Sequence, residues 1–171
     1  MRCLSRTRRL VALALVGGTS MAACVLANDN TPADWRTWDL GAFRMRVPAV
    51  LVHVAGGIDS KAGVFTAEGL RIEYDFGLYS DPLTRRDDML DYQSSEGNVE
   101  GLAARFVRYR LAGAADLPAR SCSGGFVPGV RMSGMGALKL TVLACAVGGD
   151  NLMDVPTIFE SIRFQGPAPR S

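Results

Sequence analysis

Alternation of apolar and charged positions dominates this chain, and period two means strands with one buried and one wet face. Phe43-Arg44-Met45-Arg46-Val47 is such a strand, and Pro48 stops it by removing a ladder donor. Ala49 to Ala55 extends the strand, and Gly56 to Ser60 makes a turn. After a short strand from Val64 to Thr66, Leu70 to Phe76 carries the strongest alternation, four apolar side chains against three charges. Gly69 and Gly77 bound it. Gly101 to Leu111 and Ala137 to Val147 read as two longer strands, the second with Leu138, Leu140, Val142, Ala144 and Ala146 on one face.

Helical signals are fewer. Asp81-Pro82 has the form of a cap followed by a first-turn proline, which predicts a short polar surface helix over Leu83 to Gln93. Val155, Ile158, Phe159 and Ile162 fall at helical spacing, so Asp154 to Ile162 is expected to be a short packed helix. Ile162 to Phe164 is then an edge strand. The Gly- and Ser-rich stretch Ser121 to Gly136 reads as loop. The expected fold class is α+β, a single antiparallel sheet with one or two short packed helices in one domain over residues 35–165. Residues 166–171 form a disordered tail.

The N-terminus changes how composition is read. Arg2, Arg6, Arg8 and Arg9 precede the apolar run Leu10 to Val16, and small residues follow to Ala27, the form of an export signal over residues 1–27. Three cleavage sites compete. Met21-Ala22-Ala23-Cys24 resembles a lipobox with Cys24 as the lipidation point, Val25-Leu26-Ala27 fits an ordinary signal peptidase, and Ser20-Met21-Ala22 is the third. An uncleaved anchor is a further reading, which Gly17 to Ser20 weakens by breaking the apolar run. Residues 28–34 then form a tether. Once the signal is cleaved, lipidation at Cys24 would be the chain's one route to a membrane.

The chain holds 19 basic and 17 acidic residues, and removing the four arginines of the signal leaves 15 basic against 17 acidic. The basic balance is thus an export feature and does not point to nucleic acid. Of four cysteines, Cys3 and Cys24 fall in or beside the signal. Cys122 and Cys145 remain, an even pair expected to form a disulfide in an oxidising compartment. One histidine is too few for a zinc site, and no cofactor motif is present.

The aromatic-led strand Phe43 to Pro48, the central alternating strand and the closing Phe159-Glu160-Ser161-Ile162-Arg163-Phe164 together resemble the PsbP-like superfamily of small exported α+β domains. Gly57 to Ser60 and Tyr74 to Tyr79 also resemble uncharacterised bacterial secreted proteins. The resemblance implies the fold and a mostly non-catalytic role, and no functional residues carry over.

Candidate chemistry is sparse. His53 could serve a serine nucleophile, Ser60, Ser80 or Ser94, with Asp59 nearby, but no Gly-x-Ser-x-Gly elbow is present. Glu73 and Asp75 share a strand face and read as solvated. Asp81, Asp87, Asp88 and Asp91 lack EF-hand spacing and read as partners of Arg85 and Arg86. Arg108 and Arg110 share a face, with Arg105 opposite, and Met132 and Met135 read as loop packing. The expected function is an exported envelope protein, a non-catalytic binding or assembly module for another envelope protein or a small ligand. The alternative is a small secreted hydrolase built on His53.

Overall fold

The computed structural model describes residues 34–114, 117–132, 136–148, 152 and 155–165. Cys24, Met135 and the segments expected to be a signal (residues 1–27) and a C-terminal tail (residues 166–171) lie outside them. The elements are β1 (Trp35–Asp39), β2 (Phe43–Pro48), β3 (Val52–Gly56), β4 (Lys61–Ala67), β5 (Leu70–Gly77), β6 (Met89–Val99), β7 (Leu102–Leu111), β8 (Arg120–Arg131), β9 (Ala137–Val147), α1 (Val155–Ser161) and β10 (Arg163–Phe164).

They form two antiparallel sheets, a three-stranded one in the order β1-β2-β10 and a seven-stranded one in the order β3-β4-β5-β9-β8-β7-β6. This overturns the expectation of a single sheet with packed helices in an α+β domain. The fold is mostly β, with α1 the one α-helix among the described residues. The chain leaves the small sheet at Pro48 and turns through Leu51, whose N–H donates to the Pro48 carbonyl at 3.2 Å, before it enters β3. What reads as one continuing strand is therefore a change of sheet.

The two sheets close on each other through the alternation of β2. Phe43, Met45 and Val47 are fully buried and face Phe65, Ile72, Tyr74 and Phe76 of the large sheet. Phe43 meets Tyr74 edge-on at 5.8 Å between ring centroids. The reverse face of the large sheet holds a smaller cluster of Leu83, Met89, Val107, Tyr109 and Cys122. Within it Cys122 stands opposite Cys145 across β8 and β9, and the two are joined by a disulfide.

Two further expectations fail for physical reasons. The polar segment after Asp81-Pro82 is no helix. The Asp81 carboxylate instead accepts the Leu83 N–H at 2.7 Å in a turn, Leu83 takes φ 54°, and β6 starts at Met89. A register shift between Leu90 and Gln93, with Asp91 at φ 52°, breaks the alternation that would have revealed that strand.

The Gly-Ser stretch from Ser121 is likewise no loop but β8, an interior strand of the large sheet. Its glycines make room on opposite faces. A Cβ on Gly124 would lie 2.8 Å from Leu83 Cδ1, and one on Gly125 would lie 2.5 Å from Phe159 Cε1. Small residues there permit close packing.

Candidate functional site

The small sheet lies over β4, β5 and β9, and on the same face α1 lies over β8. Between α1 and the far strands β6 and β7 runs a groove of about 510 Å³, within the usual range for a small-molecule site. Its floor is the pair Phe106 and Phe159, edge to face at 5.2 Å. Two glycines let these rings lie flat on the sheet. Phe159 covers Gly125 of β8, and Phe106 covers Gly97 of β6, where a Cβ would stand 2.8 Å from Phe106 Cε2.

One wall is Val155 and Pro156 of the helix, and Val99 closes the apolar end beside Glu100 and Glu160. Toward the other end the lining turns polar, with Gln93, Ser95, Arg108 and Ser123. A second cavity of about 310 Å³ shares Gln93 and Arg108 and continues past Arg110 and Ser121 to Leu152.

Charge along this groove follows from strand register. Arg108 and Arg110 stand opposite Ser123 and Ser121 and point to the groove face, while Arg105 stands opposite Phe126 on the other face. The Arg105 guanidinium lies 5.9 Å from the Phe126 ring. Arg110 is ion-paired with Asp91, its Nε donating at 2.7 Å. Arg108 is exposed and, among the described residues, has no hydrogen-bond or ion-pair partner. Glu100 accepts the Phe164 N–H.

The candidate nucleophile system is not assembled. His53 projects from β3 toward the small sheet, stacked on Phe65 at 4.5 Å and 4.9 Å from Trp38. Its Nε2 lies 3.0 Å from the Tyr74 hydroxyl, and among the described residues no serine or carboxylate bonds the ring. Burial lowers the pKa of this imidazole.

None of the three serines reaches it. Ser60 sits at the far end of the β3–β4 hairpin, beside Gly77. The Ser80 hydroxyl is buried, accepting the Gly77 N–H and lying 3.1 Å from the Asp75 and Lys139 carbonyl oxygens. Ser94 lies on β6 at the opposite edge of the large sheet from β3, six strand spacings or about 29 Å away.

The acidic candidates are paired in part, with Asp91 held by Arg110, while Asp75, expected to be solvated, has its Oδ1 buried without a hydrogen-bond partner. Glu73 accepts from Arg71, and Arg86 bridges Asp81 at 3.7 Å and Asp88 at 3.2 Å. No cluster of three metal-ligating residues occurs among the described residues, and none of their helices is long and apolar enough to cross a membrane. Met132 packs against the core.

Sequence reading named Arg108 and Phe159 but not the groove they share. The signal for it was Gly97 and Gly125, small residues interrupting runs that the fold makes into strands.

No protein-family model matches the sequence, and neither does any curated protein. The fold is similar to a crystal structure from Bacteroides thetaiotaomicron VPI-5482, with TM-score 0.53 and 8% sequence identity. The match covers 81% of this chain but 50% of that one, so this chain spans half its length. At that identity the likeness concerns the fold.

Proposed function

We propose that this chain is an exported, non-catalytic binding module whose ligand seat is the groove between α1 and strands β6 to β8. The observation that carries the reading is the aromatic floor of Phe106 and Phe159, set flat by two glycines beside a polar wall and an arginine with no partner among the described residues. Concave, mostly apolar sites with a few convergent polar groups are where small ligands bind. Export is supported by the arginine-led signal of residues 1–27 and by the Cys122–Cys145 disulfide, which fits an oxidising compartment.

Native mass spectrometry of the protein purified from its own cell envelope tests both halves. The expected spectrum shows a mature chain starting at Asn28, or at Cys24 with added lipid mass, and a non-covalent small ligand. A folded Phe106→Ser variant should lose that ligand. A chain that retains residues 1–27 and carries free Cys122 and Cys145 thiols would overturn export, and equal ligand occupancy in both proteins would overturn the groove.

A further inference from the structure

The charge pattern of the groove selects among ligands. Its apolar floor at Phe106 and the exposed guanidinium of Arg108 are two residues apart on one face of β7, so their Cα atoms lie about 7 Å apart along the strand. The neighbouring cation Arg110 is already neutralised by Asp91, which leaves Arg108 as the groove's one uncompensated cation among the described residues. The opposite end carries Glu100 and Glu160. A negative group placed there would meet like charge, whereas at Arg108 it finds a planar donor fork suited to a carboxylate.

We propose that the groove takes an amphipathic monoanion, an apolar ring or short acyl chain on Phe106 and Phe159 with a carboxylate head at Arg108. This rests on the reading of the groove as the ligand seat. A dianion with a negative group at each end is disfavoured by the two glutamates, and a neutral ligand of equal shape forgoes the Arg108 contact. Gln93 and Ser123 flank the head with further hydrogen-bond donors.

The test is an amide chemical-shift titration of the disulfide-bonded protein with phenylbutyrate and its neutral amide, and with octanoate and octanamide. Shifts should map to Gln93, Phe106, Arg108, Ser123 and Phe159. Each acid should bind about two- to fivefold tighter than its amide, the preference of an exposed charge contact. Added salt should shrink that preference. Arg108→Gln should abolish it, Arg108→Lys should keep part, and the double variant Asp91→Asn/Arg110→Gln, which removes the neutralised pair together, should leave it unchanged. A larger effect for the phenyl or the octyl pair says which apolar body the floor accepts.

Equal binding of acid and amide in the groove would overturn the anion assignment while leaving the ligand seat standing. Shifts mapping elsewhere, or none at all, would overturn both. Because the mapping is made on the native protein, the outcome does not depend on any variant folding.

Discussion

Gly125→Ala is the sharpest probe of how this fold is built. Gly125 lies in β8, and a Cβ there would come within 2.5, 2.8 and 3.1 Å of three Phe159 ring carbons. The ring cannot retreat freely. It is buried, it carries the edge-to-face contact with Phe106 at 5.2 Å, and its helix packs against β2. One added methyl group therefore overpacks the seam between helix and sheet, at a cost of about 1–3 kcal/mol.

Gly56→Ala is the control, since nothing lies within 4 Å of its Cβ position, and its change should stay within about 0.5 kcal/mol. Phe159→Leu removes ring atoms and is destabilising alone. In Gly125→Ala/Phe159→Leu the smaller side chain relieves the clash, so the double variant should be less destabilised than the two singles together, with a coupling of about 1 kcal/mol. Urea unfolding followed by far-ultraviolet circular dichroism measures all four variants, and the slopes must agree before midpoints are compared. A Gly125→Ala protein as stable as Gly56→Ala, or strictly additive singles, would refute the account of why a Gly-rich segment becomes an interior strand.

Three further outcomes are expected. Replacing both Cys122 and Cys145 by Ser should cost about 3 kcal/mol, from release of the loop they close. Reductant should lower the urea midpoint of the native protein and leave that variant unmoved. Because burial lowers the His53 pKa in the fold, the unfolded chain binds the proton more readily. The contribution of His53 to stability is then flat above its unfolded value of about 6.5 and declines as pH falls below it. A His53→Gln variant should lose that part of the acid-side slope, and an unchanged slope would contradict the burial argument. Ser80→Ala should cost about 1–3 kcal/mol by leaving the Gly77 N–H unsatisfied, and hydrogen exchange should locate the loosening at the end of β5.

Much of the strand content was legible because half-buried strands must alternate. Phe43 to Val47, Leu70 to Phe76, Gly101 to Leu111 and Ala137 to Val147 all form strands close to their expected bounds, and α1 follows the helical spacing of Val155, Ile158 and Phe159. The segments misread are those where alternation fails for tertiary reasons. β6 hides behind a bulge, while β8 is glycine where Leu83 and Phe159 press on it from opposite sides. The large sheet's partner was invisible as well. Nothing local distinguishes a strand that continues past Pro48 from one that crosses to a second sheet.

Of the groove, the sequence by itself determined the common face of Arg108 and Arg110, since strand geometry has a fixed period of two. It also singled out Cys122 and Cys145 as an even pair, and its arginine-led residues 1–27 are the basis of the proposed export. Tertiary structure alone decided that Arg110 is spent on Asp91 while Arg108 is not, and that Phe106 and Phe159 meet over two glycines. It also decided that His53 rests against Tyr74 with no serine among the described residues bonded to it. Those outcomes depend on which strands become neighbours, and strand order follows from burying two sheets and a helix against one another, a global balance that no local pattern encodes.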